Sequence, residues 1–577
     1  MAFDSFVTAA VVDQLQNKII SAKIVKIYQP DRHTIILKYY GADGPGKLLL
    51  SAHQQDPRIH LAAENIENPQ KPPLFCMVLR KYLEGGKIIS LRQLDLERIV
   101  EIEFAIRNDL GDSTNCRLLM EIMGKHSNII LVNKDNIIID GIHRYSHQQS
   151  RHREVLPGRL YIAPPPQNKM ILSGWDEERL SEVIWRLQLD DSIEHALAQL
   201  AEGFSPLMVK EALHRAGIAA DMPVSELGQY EIRLLNQALN QIYDYYKNKN
   251  FSPVLHLQNC QAVDFAAFPL HLWQGQEQPF TDISNMLELF YQEKQARQLF
   301  AARKRELLKI IAAHHARISK KIQLQAKELA KSEAGEQYKE AGDLLSAYLY
   351  IVEKGASAIT LESFYEPGKM IEIVLKPGLS PQQNCQRYYR LYNKCKKSYK
   401  LIEAQLNSSR EEEEYMASVL LNAEQSATLQ ELQAIREELV AGQYIKESKK
   451  NPSEKPNLIP PRSFISDDGL QILVGRNNKQ NDKLTLKTAA KNDIWLHTQK
   501  IPGSHVIIKS GGQEVPERTL RQAASIAAWY SKAKSGSNVP VDYTTVDQVK
   551  KPNGAKPGMV IYFQQKTLYI NPIDPEK

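Results

Sequence analysis

The stretch LKIIAAHHARISKKIQLQAKEL, Leu308–Leu329, decides the fold of the middle of the chain. Its seam residues alternate spacings of three and four, and a second run over Tyr388–Leu420 does the same. Such spacing is typical of helices that bury one narrow stripe against a partner helix. The seam residues are Leu308, Ile311, His315, Ile318, Ile322, Gln325 and Leu329, then Tyr388, Tyr392, Cys395, Tyr399, Ile402, Leu406, Ser409, Glu413, Met416 and Leu420.

A short β-rich segment separates the two heptad stretches. SAITLESFY and MIEIVLKP both have the composition of strands. The arrangement predicts an antiparallel coiled-coil arm over residues 285–440, with a small inserted tip at about 338–381. The alternative is an ordinary helical domain.

The segments on either side of the arm differ in pattern. Residues 1–165 are strand-rich with a few helices, and residues 170–280 are mainly helical. A polar, proline-rich linker follows the arm at 441–462, and residues 463–577 form an α+β unit. The predicted fold class is therefore multidomain α+β, in line with about four domains for 577 residues.

Composition excludes several classes of protein. Hydrophobic residues make up 43% and charged residues 24%, as in ordinary globular proteins. No run of about 18 apolar residues predicts a membrane span, and no basic segment precedes an apolar one at the N-terminus. The five cysteines form no CxxC pair, which favours a reducing compartment. We therefore expect a cytoplasmic protein.

The net charge of +6 hides strongly charged segments. Residues 294–333 carry eleven Lys or Arg against three Glu, and residues 386–400 carry six against none. Residues 455–577 have a net charge of +8, whereas 410–438 have −6. Several basic elements together favour binding to a polyanion such as structured RNA. A solvated helix face is the usual explanation of a single charged helix, but it explains several basic elements together less well.

Motifs for enzyme chemistry are missing from the sequence. Gly44–Lys47 lacks the spacing of a phosphate-binding loop, and there is no GxSxG elbow. His143, His147 and His152 are better interpreted as a basic loop than as metal ligands. The sequence predicts no cofactor, no metal site and no catalytic residue.

Three groups of residues are candidates for RNA contact. Glu97 and Arg98 lie in a predicted strand, where Arg98 could offer its planar guanidinium to phosphate or form a buried ion pair. The turn of a helix–turn–helix at Leu197–Ile218 could contact the RNA backbone, although a plain helical hairpin is the simpler interpretation. Its candidate residues are Gly203, Ser205 and Lys210. In the C-terminal unit they are Asp493, Trp495, His497 and His505, with a core role equally open for Trp495.

Six segments of the sequence resemble the NFACT/NEMF family. They are MAFDSF, LLLSAHQQDPRIHL, PPLFCMVLRKYLEGG, LMEIMGKHSNIIL, NDIWLHTQKIPGSHVII and VKKPNGAKPGMV. The resemblance runs essentially from end to end. It implies an NFACT-N domain (1–165), a helix-hairpin-helix domain (170–280), a coiled-coil middle arm and an NFACT-R domain (463–577).

The resemblance also implies a function. Members of this family are ribosome quality-control factors that bind the large (50S) ribosomal subunit, with its rRNA, while it still carries peptidyl-tRNA. They recruit tRNA, here expected to be alanyl-tRNA, so that the nascent chain receives an alanine tail that marks it for degradation. The protein would be an adaptor and not an enzyme. A small RNA-binding protein such as RqcP is a further expected partner.

The resemblance implies tRNA-contacting residues at the positions of this sequence that match the family's motifs. The family's tRNA-contacting Asp-Arg pair falls on Glu97 and Arg98, so that Glu replaces the usual Asp. Glu121, Ile122 and Met123 match a segment near the same tRNA-facing surface.

Two other functions remain as alternatives. A surface fibronectin-binding adhesin is disfavoured by the absent signal peptide and by the absence of an anchor motif in NPIDPEK. A DNA glycosylase related to the NFACT-N fold needs an N-terminal proline nucleophile, and this chain has Ala2.

Overall fold

The computed structural model describes residues 3–64, 66–107, 113–148, 150, 152–165, 169, 176–186, 190–333, 335–446 and 459–575. The chain is a mixed α/β protein that divides into two compact units, Met1–Arg297 and Gln298–Lys577. All five cysteines are free thiols. None of the helices in the described ranges combines the length and apolar character needed to cross a bilayer.

Strands and helices alternate in the first unit. Its strands are β1 (Lys23–Tyr28), β2 (Thr34–Gly41), β3 (Gly44–Ser51), β4 (Arg58–Leu61), β5 (Lys87–Gln93), β6 (Ile99–Arg107), β7 (Ser113–Glu121), β8 (Asn128–Asn133), β9 (Ile138–Gly141), β10 (Val254–Gln258), β11 (Gln261–Ala266) and β12 (Gln276–Pro279). Its helices are α1 (Ser5–Ile19), α2 (Leu74–Leu83), α3 (Glu177–Ile184), α4 (Ile193–Leu200), α5 (Pro206–Ala216) and α6 (Gln229–Lys247).

A large antiparallel sheet organises this unit. Among the described residues it has nine strands in the order β4-β3-β2-β1-β5-β6-β7-β8-β9, and a smaller sheet has the order β11-β10-β12. α1 begins after Asp4, whose side chain accepts a hydrogen bond from the Val7 amide and so caps the helix. Residues of α1, the sheet and α3 to α6 share one hydrophobic core. The helical segment is therefore packed directly on the strand-rich segment.

The second unit contains the long helices and a C-terminal sheet. Its helices are α7 (Ile283–Glu333), which starts in the first unit's residues, α8 (Gly335–Ala347), α9 (Pro381–Gln425), α10 (Leu429–Ala441), α11 (Asn478–Lys483) and α12 (Glu517–Trp529). Its strands are β13 (Ala358–Glu362), β14 (Met370–Val374), β15 (Arg462–Ile465), β16 (Gln471–Val474), β17 (Ile494–Thr498), β18 (Val506–Ile508), β19 (Val539–Thr545), β20 (Val549–Lys550), β21 (Ile561–Tyr562) and β22 (Lys566–Ile570).

The predicted seams are the buried sides of α7 and α9. Every seam residue is buried or half-buried, and most residues between them are exposed. The two helices run in opposite directions. Lys304, early in α7, donates to the Ser426 carbonyl oxygen just after α9 at 2.9 Å, whereas Ser319, later in α7, bonds Glu413, which comes earlier in α9. α10 completes their apolar core.

The C-terminal sheet has α12 on one face. Its strand order among the described residues is β15-β16-β18-β17-β19-β22. The helix packs on Val506, Val541 and their neighbours, while Trp495 and Leu484 belong to a separate cluster. α12 ends at Trp529, and just beyond it the Ser531 hydroxyl donates to the Ala528 carbonyl oxygen. Between β21 and β22 the chain turns at Gln564, whose φ is +53°.

Candidate nucleic-acid interface

Glu97 and Arg98 lie in the connection between β5 and β6, and the prediction that they belong to a strand is wrong. β6 begins only at Ile99. Asp95 has a φ of +49°, and the Glu97 amide donates to the Leu94 carbonyl oxygen at 3.0 Å, which closes a turn. Both side chains are half-buried. Glu97 and Arg98 therefore lie outside the sheet, in a turn over residues 94–98 that we call the Arg98 turn.

The Glu121–Met123 segment adjoins the Arg98 turn. The Ile122 amide donates to the Arg98 carbonyl oxygen at 2.8 Å. Glu121 is fully buried, and both its carboxylate oxygens bind Arg153, at 2.6 and 2.5 Å. Ile122 is fully buried and Met123 half-buried. Of these three residues, only Met123 has exposed side-chain surface.

The Glu121–Arg153 pair is held inside the protein. Tyr161 donates its hydroxyl to Glu121 at 2.9 Å, and Arg153 also donates to the Ile162 carbonyl oxygen at 2.8 Å. Burial alone would lower the pKa of Arg153, but the hydrogen bonds and charge of Glu121 raise it. Burial and the Glu121 charge raise the pKa of Tyr161. This network holds Glu121 in place, and with it the neighbouring Ile122 amide that donates to the Arg98 carbonyl oxygen.

The turn between α4 and α5 packs against the Arg98 turn. Gly203 has a φ of +78°, and a Cβ there would lie 2.7 Å from Leu96 Cβ. Only glycine allows this conformation and this approach without strain. Ser205 caps α5 by accepting from the Met208 amide at 3.3 Å. Lys210 is exposed and faces Glu194 at 3.6 Å.

Asp4 connects the two turns. Its carboxylate accepts from the Val7 amide at 3.0 Å and from the Ser205 hydroxyl at 3.1 Å. Burial raises the Asp4 pKa to about 6, although these hydrogen bonds and the Arg98 charge favour the carboxylate. Arg98 is therefore within electrostatic reach of Asp4. The structure thus brings Glu97–Arg98 and Gly203–Ser205 together at one place.

Other charged groups surround Arg98. Burial and the Arg98 charge lower the pKa of Lys169, while Glu97 and Glu202 oppose that shift. Burial raises the pKa of Glu202, and Glu97 raises it further. The site therefore combines cations that can bind phosphate with carboxylates that can accept hydrogen bonds from hydroxyl or amino groups.

The C-terminal candidate residues are mostly enclosed. Trp495, Asp493 and His505 are buried, and His497 is half-buried. Asp493 binds Lys509 at 2.7 Å, and His505 Nδ1 lies 2.8 Å from Thr485 Oγ1. The Trp495 ring offers no face to a base in this structure, which agrees with the core role left open for it. Burial lowers the pKa of His505 to about 3, with a further contribution from His497.

The basic residues of α7 and α9 are largely exposed. On α7 the exposed ones after Arg297 are Arg303, Arg305, Lys309, Arg317, Lys320, Lys321, Lys327 and Lys331. On α9 they are Arg390, Lys394, Lys396, Lys397, Lys400 and Arg410. These side chains are positioned to interact with a polyanion.

Sequence reasoning missed Asp4, Lys169 and Glu202. Asp4 carries the signal of a helix N-cap, since it precedes the apolar run FVTAAVV, but nothing local links it to Ser205. Lys169 and Glu202 have no local signal at all, because only the tertiary fold brings them to Glu97.

Two family models match the chain. The model of the NFACT N-terminal and middle domains covers residues 4–457. The model of the NFACT protein RNA binding domain covers residues 461–562.

Curated relatives match over the whole chain. "Rqc2 homolog RqcH" of Bacillus subtilis is 38% identical, with 99% of this chain and 98% of that protein covered. "Rqc2 homolog RqcH" of Streptococcus suis is 34% identical over 100% of this chain and 99% of that protein. Human "Ribosome quality control complex subunit NEMF" is 22% identical over 43% of this chain and 22% of that protein.

Solved structures of two fragments are similar in sequence. They are the N-terminal and C-terminal parts of the fibronectin/fibrinogen-binding protein of Streptococcus suis, 30% and 32% identical. They cover 50% and 48% of this chain, and 99% and 96% of their own chains. Their TM-scores of 0.42 and 0.39 support no inference about function.

Proposed function

The chain belongs to the NFACT family, and we propose that it is a ribosome quality-control adaptor. In this proposal it binds the 50S subunit that still holds peptidyl-tRNA after a stall. It recruits alanyl-tRNA, and the ribosome adds an alanine tail that marks the nascent chain for degradation. Peptide-bond formation belongs to the ribosome, so the protein itself is not an enzyme and works in the cytoplasm.

The observation that carries this proposal is the match with curated RqcH proteins at 32–38% identity over essentially the whole chain. A match of this extent includes every segment that could bind RNA, and the C-terminal segment matches an RNA-binding domain by itself. Both features favour RNA recognition over catalysis.

The Arg98 site is the proposed tRNA contact. Arg98 and Lys169 supply positive charge for the phosphate backbone, and Arg98 can form paired hydrogen bonds through its planar guanidinium. Glu97 replaces the usual Asp and is proposed to accept hydrogen bonds from the tRNA. Glu121 and Ile122 act through the backbone that they hold beside Arg98, since their own side chains are enclosed.

The helical hairpin belongs to the same proposed surface. Ser205 and Gly203 place the N-terminus of α5 beside the Arg98 turn. Helix N-termini favour phosphate, because their amide groups and dipole attract negative charge. We propose that α3 to α6 form a helix-hairpin-helix domain whose turn contacts RNA backbone and whose Lys210 adds charge nearby.

The long antiparallel helices are proposed to form a coiled-coil arm. Their seams pack together along α7 and α9, and their exposed Lys and Arg side chains suit ribosomal RNA. A small RNA-binding protein such as RqcP is a proposed additional partner. The adhesin alternative is not adopted, because only the names of the two similar Streptococcus suis fragments, whose TM-scores are 0.42 and 0.39, favour it.

Co-sedimentation with 50S subunits at moderate salt tests the adaptor function. The wild-type protein should sediment with subunits that carry peptidyl-tRNA, together with a second tRNA that the protein has recruited. With Arg98→Ala, recovery of this second tRNA should fall at least about tenfold, which is the loss expected when a charge-assisted contact is removed. Arg107→Ala, at the exposed end of β6, is the matched control and should behave as wild type. Wild-type tRNA recovery by Arg98→Ala would reject the role of Arg98, and exclusive recovery of the wild-type protein in the cell-wall fraction would reject the adaptor.

A further inference from the structure

An open cleft of about 400 Å³ lies in the second unit, and none of its lining residues belongs to the enclosed cluster around Trp495. It forms where the end of α9, the start of β15 and the end of α12 meet, and we call it the α12 cleft. Its volume is within the range of about 300–1,000 Å³ that is usual for small-ligand sites. It is lined by Gln425, Ala427, Arg462, Ser463, Phe464, Arg476, Trp529, Tyr530, Lys534 and Asp574.

Two arginines of the α12 cleft are fixed by one buried carboxylate. Glu431, which is 2% exposed, binds Arg476 through a short hydrogen bond and lies 3.5 Å from Arg462. Arg476 Nε also donates to the Pro460 carbonyl oxygen at 2.9 Å. Burial would raise the Glu431 pKa, but the Ala427 amide and the two guanidinium groups lower it. The guanidinium groups are therefore charged and preorganised at the cleft wall.

Two aromatic rings of the cleft make cation–π contacts with basic side chains of the same cleft. Lys534 Nζ lies 3.7 Å from the centroid of the Trp529 ring, and the Arg462 guanidinium lies 4.6 Å from the centroid of Tyr530. Lys534 is exposed and Trp529 is half-buried. A planar base can replace the Lys534 ammonium on the indole face, after which the same ammonium is available to a phosphate.

We propose that the α12 cleft binds one unpaired nucleotide of single-stranded RNA. The base stacks on Trp529, and the adjoining phosphate is bound by Lys534, Arg462 and Arg476. A duplex presents no free base face, so it does not satisfy this site. Asp574 repels phosphate but can accept a hydrogen bond from a ribose 2′-hydroxyl, which distinguishes RNA from DNA. This inference rests on the RNA-binding part of the proposed function.

Binding of short labelled RNAs to the full chain tests the inference. The probes are an unstructured single strand and a duplex of the same length, followed by fluorescence anisotropy at several salt concentrations. Trp529→Ala should weaken single-strand binding by about tenfold, as for the loss of one base stack, and leave duplex binding unchanged. Trp529→Phe keeps an aromatic face and should retain most of the affinity. Lys534→Gln should reduce the slope of log affinity against log salt by about one.

Matched controls come from the same domain. Tyr569 and Lys566 are exposed on β22 and do not line the cleft, so Tyr569→Ala and Lys566→Gln should bind the single strand as wild type. Equal affinities of Trp529→Ala and Tyr569→Ala, or an equal loss of duplex binding, would overturn the inference. The proposed function fails separately, if the wild-type protein does not sediment with 50S subunits, whatever Trp529→Ala does to oligonucleotide binding.

Discussion

The Ser205 hydroxyl donates a 3.1 Å hydrogen bond to the buried carboxylate of Asp4, which lies 201 residues earlier in the chain. Each residue also caps a helix, Asp4 for α1 and Ser205 for α5. One contact therefore fixes the starts of two helices beside the Arg98 turn. In the proposed function, this contact aligns the two parts of the tRNA-binding surface.

Ser205→Ala should lower both stability and tRNA binding. It removes an N-cap, at a cost of about 0.5–2 kcal/mol in the free energy of unfolding, and also the bond to Asp4. The matched control is Ser192→Ala, which removes the equivalent cap of α4. Urea unfolding and tRNA binding are measured on both variants. Both variants should lose stability, and Ser205→Ala should lose more because the bond to Asp4 is removed as well. Only Ser205→Ala should bind tRNA more weakly; equal tRNA binding by the two variants would contradict this role of Ser205.

Asp4→Asn should change how stability depends on pH. The folded pKa of Asp4 is about 6, above its ordinary value of 3.8, so the unfolded chain releases this proton at lower pH. Protonated Asp4 therefore contributes up to about 3 kcal/mol to the free energy of unfolding. This contribution is fully present below about pH 4 and is lost as pH rises through 6. Since Asn does not ionise, the variant should gain stability relative to wild type across this range. Urea unfolding at several pH values checks this, and a constant difference would argue against it.

Glu121→Gln should be strongly destabilising. It leaves the buried Arg153 guanidinium without its counter-charge, at a cost of about 3–5 kcal/mol in the free energy of unfolding. Glu154→Gln is the control, because its partner Arg159 is mostly exposed and such pairs contribute at most about 1 kcal/mol. Adding Arg153→Met to Glu121→Gln should restore part of the stability. Thermal or urea unfolding showing equal losses for the two single variants would refute the role of the buried pair.

His505 should make the protein sensitive to acid. Its folded pKa of about 3 lies below its ordinary value of 6.5, so the unfolded chain binds the proton first as pH falls. The contribution of neutral His505 to the free energy of unfolding is fully present above about pH 6.5. It should decrease by about 2 kcal/mol between pH 6.5 and pH 5. His505→Gln should flatten this slope, whereas His195→Gln, at an exposed position, should not. Unfolding free energies that fall equally steeply with and without His505 would contradict this assignment.

The long helices were predictable because their signal is local. Spacings of three and four determine which side of a helix is buried, and the seam residues of α7 and α9 are indeed buried or half-buried. The cap at Ser205 is similarly local, since Ser precedes Pro at the first helical position. The four-domain division and the roles of the site residues in RNA binding stay predictions.

The details of the site depend on tertiary contacts that spacing does not reveal. The turn at Glu97 depends on the left-handed backbone of Asp95, where an apolar neighbourhood had suggested a strand. The Asp4–Ser205 bond joins residues far apart in sequence. Trp495 is enclosed because β17 lies between β18 and β19 in the sheet, so that its ring packs on Tyr562 and His505.

Sequencing the tRNA that co-purifies with the protein on 50S subunits tests the central claim most directly. Alanine-accepting tRNA should be enriched with the wild-type protein and with Arg107→Ala, and this enrichment should be lost with Arg98→Ala although that variant remains folded. Recovery of a tRNA pool without such enrichment, or the same enrichment with Arg98→Ala, would contradict it.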